Sequence, residues 1–262
     1  MKIVVCVKQV PDSDAALAVN AQKTWVVETG INYELNPYDR YALEEALRIK
    51  DAGEAEVVAV SLGPDRAAQV LKTCLATGAD RAVHLKDEAF QGGDPWATAQ
   101  ALAAAVRAQE PDLVLCGLQS DDDTLAQTPV LMAEILGVPH ATGAMKIEKI
   151  DGGVRVAREL EGDRREIVEL PLPCVVTVQT GINEPRYASI KGIMSAKRKE
   201  MKAPTPADLG IDPSVVGKAG SRLRFFDLAV PEKKEGGEVL TGTTEEIVTE
   251  LVKRIRENTG VI

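Results

Sequence analysis

The segment GLQSDDDTLAQT, residues 117–128, carries the residue types that an anion site needs. Gly117 allows a close turn of the backbone, the carboxylates Asp121, Asp122 and Asp123 follow, and Thr124 to Thr128 opens an apolar helical run through Leu131, Met132, Ile135 and Leu136. A helix beginning at Ala126, Gln127 and Thr128 offers unpaired main-chain N–H groups and a hydroxyl, the chemistry that holds a phosphate. Taken alone, three consecutive aspartates are more often a solvated loop and helix cap than a metal or catalytic cluster. Acids beside a phosphate also repel it unless they point away. Neither a Gly-x-Gly-x-x-Gly fingerprint nor a Walker A loop is present, so nucleotide binding is suggested by position and not by a strong local motif. His84 and His140 stand singly and read as structural histidines, and no Ser-His-Asp or Cys-His set can be assembled.

The elements that must position this segment follow from periodicity. KIVVCVK (2–8), AEVVAVSL (55–62), RAVHL (81–85) and DLVLCG (112–117) are short, apolar and rich in β-branched residues, as strands covered on both faces should be. Helical patterns lie between them. Asn36 is the expected N-cap of the first, Pro37 suits its first position, and Tyr38, Ala42, Ala46 and Ile49 recur at helical spacing before Gly53. Pro64 and Pro95 start two more. This alternation predicts an α/β fold, a doubly wound and mostly parallel sheet with helices on both faces. Ligands of such sheets bind beyond the carboxyl ends of the strands, where strand order reverses. Four segments should converge there: Cys6 to Gln9, the approach to Asn36, Ser61 to Pro64, and Gly117 to Thr128.

After Pro139 the rhythm changes to extended segments, AMKIEKI (144–150), VRVARELEG (154–162), REIVELPLP (165–173) and VVTVQT (175–180), which predict a small antiparallel extension. From Lys199 to Val239 the chain is rich in proline, glycine and charge, with short apolar islands such as Leu223 to Phe226. So long a stretch with little secondary structure is uncommon inside a compact domain and is expected to lie on another chain. It ends in an amphipathic helix with a Thr243/Glu246 capping box and an apolar face of Ile247, Leu251 and Ile255. The expected division is residues 1–198 as the α/β domain and 199–262 as a C-terminal arm and helix.

Composition sets the outer bounds. The formal net charge is −9 and the sequence pI about 5.0. Residues 186–202 nevertheless gather Arg186, Lys191, Lys197, Arg198, Lys199 and Lys202 against the single acid Glu200. The acidic remainder and a lone aromatic, Tyr187, speak against nucleic acid as the partner of this stretch. Cys6, Cys74, Cys116 and Cys174 are far apart and form no CxxC pair, which predicts buried free thiols rather than zinc or disulfides. No window approaches the ~18 apolar residues of a membrane span. The expectation is a soluble cytoplasmic protein without membrane insertion.

At this point longer motifs come into register. VAREL (156–160) followed by PLPCVVTVQTGINEPRYASIKGIMSAKRK (171–199), together with VVCVKQVPD, NPYDRYALEEALRIK, AVSLGP, TGADRAVHL and GLQSDDDTLAQT in order, resembles the beta subunits of electron transfer flavoproteins over nearly the whole chain. The resemblance implies a Rossmann-like adenine-nucleotide-binding fold and a heterodimer with an alpha subunit. That heterodimer would carry electrons from acyl-CoA dehydrogenases or similar flavoenzymes to an acceptor of the quinone-oxidoreductase type. It implies FAD held mainly by the alpha subunit and AMP in this one, or a second FAD in place of AMP in electron-bifurcating relatives. Carried over by position, the nucleotide falls on Cys6, Asn36, Asp39, Leu62, Gly63, Asp122, Ala126, Gln127 and Thr128. Adenine lies among the first five and phosphate near the last three. The run DDDTLAQTP differs from the FAD-type Asp-Gly-Asp-Thr-Ala-Gln-Val-Gly, and Thr128 favours the AMP class. The segment after PRY is implied to dock the dehydrogenase through Ile190 beside Tyr187 and Ile193, with Lys197, Arg198 and Lys199 behind. The rival reading, a free-standing nucleotide-binding or nucleotide-hydrolysing protein, lacks an evident general base or metal set.

Overall fold

Strands whose successive side chains are all apolar need cover on both faces, and the helices supply it. Residues 1–53, 55–224, 227–232 and 236–260 are described by a computed structural model. In chain order the elements are β1 (Lys2–Cys6), β2 (Gln9–Pro11), β3 (Tyr33–Leu35), α1 (Pro37–Asp51), β4 (Glu56–Leu62), α2 (Ala68–Thr77), β5 (Arg81–Leu85) and α3 (Pro95–Arg107). They continue with β6 (Leu113–Gly117), α4 (Thr128–Leu136), β7 (His140–Ile150), β8 (Gly153–Leu160), β9 (Arg164–Pro171), β10 (Cys174–Val178), α5 (Ile190–Ala196), β11 (Met201–Lys202), α6 (Gly217–Gly220) and α7 (Thr244–Thr259). Ile3, Val5, Val57, Ala59, Leu113 and Leu115 pack on Leu43 and Leu47 of α1 and Leu71 and Leu75 of α2. Their neighbours Val4, Val58, Val60 and Val114 face the other way, onto Leu102 and Val106 of α3 and Met132 of α4. The period of two along each strand thus builds two cores on one sheet.

The sheet has the order β11-β5-β4-β1-β6-β10-β7-β8-β9, with β2 and β3 forming a separate antiparallel ribbon. Pairing is parallel from β11 to β7 and antiparallel from β7 to β9. The doubly wound, mostly parallel α/β architecture is therefore present. The antiparallel extension is narrower than the sequence rhythm suggests, because β10 is no part of it. Its residues CVVTV are all buried, and β10 inserts between β6 and β7, parallel to both. A run with no polar alternation fits only a central strand. By contrast β8 and β9 carry exposed residues along much of their length and pair as an edge hairpin, ending at the cis Leu172–Pro173 bond.

The expected arm begins later than residue 199. β11 adds to the sheet edge beside β5, and Val216 is fully buried in the core under α3. Leu209 and Ile211 pack against the same core. Asp94 caps α3 through Oδ1, which accepts from Ala97 N at 2.9 Å, while its Oδ2 accepts from Arg222 N at 2.6 Å and Leu223 N at 2.9 Å. The Arg222 guanidinium lies 3.9 Å from the centre of the Trp96 ring. Small apolar islands in a polar stretch were enough to hold it on its own domain. Phe225 and Phe226, the end of one such island, lie outside the described residues. Farther on, α7 begins with the expected capping box and leaves Val248, Leu251, Val252 and Ile255 exposed. Among the described residues, no helix is long and apolar enough to cross a membrane.

Replacing Asp94 by Ala removes a helix cap and the acceptor of two further N–H groups. We expect a loss of about 2 kcal/mol in urea unfolding and new proteolytic cleavage near residues 203–223. Unchanged cleavage would mean that the Asp94 carboxylate does not hold the segment down.

Candidate functional site

The strand order reverses at β1, whose chain crosses to β4 on one side while β6 lies on the other. Cys6, Val60 and Cys116 are in register at the carboxyl edge of the three strands. β4 and β6 flank β1, so the ends at Leu62 and Gly117 stand roughly 10 Å apart. All the carried-over nucleotide positions lie on segments that leave this edge or face it. They do not all present side chains to it. Cys6 is buried in the α3/α4 core, and its contact with Cys116, together with burial, holds the Cys116 thiol well above the ordinary thiol range. All four cysteines are buried and free.

Asn36 and Asp39 act on the main chain around the crevice. Asn36 is the N-cap of α1, as expected, but its side chain makes no cap hydrogen bond. Its Nδ2 donates to Gln119 O at 2.9 Å and its Oδ1 accepts from Asp121 N at 3.1 Å, fixing the loop after β6. Asp39 lies one turn on. Its Oδ2 accepts from Lys8 N at 2.7 Å and its Oδ1 from Gly117 N at 3.0 Å, so one buried carboxylate ties the end of β1 to the end of β6. Such closeness dictates glycine at 117, where a Cβ would stand 2.4 Å from Asp39 Oδ1 and 2.6 Å from Tyr38 Cβ. Burial pushes the Asp39 carboxyl up to about 7, against the lowering effect of Lys8 N, the Asn36 side chain and Gly117 N.

The loop beyond Gly117 is held from the other end of the sequence. Lys8 Nζ lies 3.2 Å from Ser120 Oγ, 2.7 Å from Asp122 Oδ1 and 3.0 Å from Asp123 Oδ2. Burial lowers the affinity of this ammonium for its proton, yet the two carboxylates outweigh it and hold the group above its usual value. Thr124 and Ala126 take positive φ angles of 52° and 53°. The chain then enters α4, and among the described residues the main-chain N–H groups of Ala126, Gln127, Thr128 and Val130 find no hydrogen-bond partner. Residues 126 and 127 are exposed and 128 to 130 half-buried. Across the crevice, Gly63 N donates to Leu85 O, and His84 Nε2 lies 3.0 Å from Gly63 O, a structural role as expected for that histidine.

A second feature occupies the chain after β10. Tyr187 is 93 % exposed and Ile190 81 %, with Ile193 and Met194 beside them on α5. The base of this patch is pinned. Arg186 Nε and Nη2 meet the buried Glu44 at 2.8 and 2.9 Å, and its Nη1 meets Asp51 at 2.9 Å. Gly192 packs against α2 so closely that a Cβ would lie 2.2 Å from Ala76 O. Lys197 and Arg198 are exposed. Lys199 is not available in the same way, because its Nζ donates to Leu75 O at 2.9 Å and Ala79 O at 2.6 Å, capping the end of α2. Burial holds it below the ordinary lysine range.

The sequence reading missed Lys8 and Ser120. The signal for Lys8 was available, since three adjacent acids before a helix start demand a cation. The position of that cation, 112 residues or more from its partners, was not.

Fold and crevice together define a doubly wound α/β protein with a crevice at the carboxyl edge of its sheet. The electron transfer flavoprotein domain family matches residues 23–209. The electron transfer flavoprotein subunit beta of Methylophilus methylotrophus is 37% identical over 264 residues, covering 99% of this chain and 100% of the relative. That of Thermoanaerobacterium thermosaccharolyticum is 40% identical over 256 residues, covering 97% and 98%. The caffeyl-CoA reductase-Etf complex subunit CarD of Acetobacterium woodii is 38% identical over 260 residues, covering 98% of each chain. The chain belongs to the electron transfer flavoprotein beta-subunit family.

The folded chain keeps a proton on Asp39 that the unfolded chain has released above the ordinary carboxylate value of about 4. The resulting stabilisation is present below that value and is lost as pH rises through about 7. An Asp39→Asn variant can satisfy only one of the two N–H groups. We expect it to cost about 1–3 kcal/mol at low pH and to remove this part of the pH dependence, read from denaturation midpoints of both proteins between pH 5 and 8. Parallel curves would show that Asp39 does not titrate in this range.

Proposed function

We propose that this chain is the non-catalytic half of an αβ electron carrier. It holds one AMP at the carboxyl-edge crevice, while FAD is bound mainly by an alpha subunit. The observation that carries the AMP reading is the set of N–H groups at Ala126, Gln127, Thr128 and Val130, which have no partner among the described residues and follow a loop whose acids are already drawn to Lys8. Such N–H groups at a helix start stabilise an anion by direct hydrogen bonds and by the helix dipole. The residues present fit a nucleotide monophosphate: a glycine-tight turn at 117, helix-start N–H donors at Ala126 to Thr128 and a hydroxyl at Thr128. AMP supplies no redox chemistry. Asn36 and Asp39 hold the walls of the crevice, and the bound nucleotide braces them. The exposed apolar stripe of α7 supports an alpha subunit as the partner that covers it.

Electrons enter through a flavin dehydrogenase of the acyl-CoA class and leave to a quinone-oxidoreductase-type acceptor. The docking surface in this reading is Tyr187, Ile190 and Ile193, an apolar patch on a pinned base with Lys197 and Arg198 at its edge. A rigid apolar anchor gives residence, and exposed charge gives encounter rate.

Two measurements check these statements. Denaturing the purified heterodimer should release about one AMP and one FAD per αβ pair, the count expected of a single helix-start anion site. Two FAD and no AMP would replace this reading by the bifurcating one. Ile190→Ala should weaken docking by roughly one to two orders of magnitude with little change in salt dependence, since a buried aliphatic side chain contributes ~1.5–3 kcal/mol. Reduction of the heterodimer by its dehydrogenase, followed at several ionic strengths, reads this directly. Wild-type rates for the variant would remove Ile190 from the interface.

A further inference from the structure

The acidic loop presents a physical difficulty for any anion at the start of α4. Asp121, Asp122 and Asp123 sit only a few residues before the unbonded N–H groups, and uncompensated they would repel a phosphate across that distance. Lys8 is placed to resolve it. Its main-chain N–H is fixed by Asp39, its carbonyl accepts from Asn36 N at 3.0 Å, and its side chain reaches Ser120, Asp122 and Asp123 together. Asp123 is joined in turn to Ser120 Oγ at 2.9 Å and to Leu125 N at 3.2 Å, so the ammonium sits at the centre of the turn that leads into α4. The Lys8, Asp122 and Asp123 side chains remain 40%, 29% and 45% exposed, which leaves their charges open to solvent salt.

We propose that Lys8 is the positioning residue of the phosphate end of the crevice: it cancels Asp122 and Asp123 and shapes the loop so that the N–H groups of Ala126 to Thr128 face the anion. It is not itself a phosphate ligand, because its three contacts are spent on the loop. The proposal rests on the nucleotide reading above and adds a role to a residue that reading does not use. It also explains how a run of three acids can lie beside an anion site.

The test compares the complete αβ heterodimer, freed of the nucleotide of this chain and keeping its alpha-subunit FAD, in four forms: wild type, Lys8→Met, Lys8→Met with Asp122→Asn and Asp123→Asn, and Lys8→Arg. Each is titrated with AMP and with FAD by calorimetry at low and high salt. For whichever nucleotide the wild type takes, Lys8→Met should bind roughly tenfold more weakly at low salt, the change expected from exposing two like charges near the anion. The deficit should shrink at high salt as those charges are screened. Neutralising the two acids in the same chain should restore most of the affinity, and Lys8→Arg should stay near wild type. If the triple variant binds as weakly as Lys8→Met, cancelling the two acids is not what Lys8 supplies and the proposal falls. If Lys8→Met binds like wild type, it falls as well. Melting temperature and alpha-subunit FAD content serve as fold controls, and the triple variant, which lacks the same ammonium, separates misfolding from lost compensation. The wild-type titration judges the AMP reading and the order among variants judges Lys8, so the two can fail separately.

Discussion

The carboxylate of Asp39 is the constraint on which the crevice depends. Parallel strands that diverge at a topological switch point leave main-chain N–H groups facing a gap, and in the interior such groups must find acceptors. Asp39 supplies both, one oxygen to Lys8 N after β1 and one to Gly117 N at the end of β6. The demand for glycine at 117, the fixed direction of Lys8 and the path of the loop that follows all descend from that arrangement. Asn36, one turn earlier, extends it to Gln119 and Asp121. A helix start that would ordinarily use its first side chain to cap itself instead spends two polar side chains on its neighbours.

Charge is distributed by the same economy. Six bases between residues 186 and 202 look like one patch on paper. In the fold they divide. Arg186 turns inward to Glu44 and Asp51, and Lys199 closes the carbonyl end of α2, so both serve to mount the segment. Lys197 and Arg198 are left facing solvent. A basic stretch on an acidic protein is thus partly scaffold, and only the remainder is free to steer a partner.

Much of the architecture was legible because it rests on local periodicity. The β1–α1–β4 and β5–α3–β6 units, the Asp94 and Thr243 helix starts and the hairpin of β8 and β9 all follow from patterns of two or of three and four. β10 was misplaced because its apolar run says that it is buried on both faces but not between which strands. The first half of the arm was misread because a single buried valine, Val216, and one shared carboxylate, Asp94, outweigh a polar composition. Within the crevice, the loop and the helix start could be found from residue types. The assignment of Asn36 and Asp39 to the walls, and of Lys8 to the loop, could not, since each depends on partners brought from some 30 to 115 residues away by the sheet.

Helix α1 also has a mechanical meaning. Its N-terminal turn carries Asn36 and Asp39, which shape the crevice, and its middle and end carry Glu44, Glu45 and Asp51, which hold Arg186 and Asn183 at the base of the exposed apolar patch. Fifteen residues of α-helix make a strut of about 22 Å. Crevice and patch are therefore two fittings on one rod, and their separation is set by helix pitch instead of by a loop. The distance between the two fittings is therefore a property of one rigid element and not of the chain that runs between them.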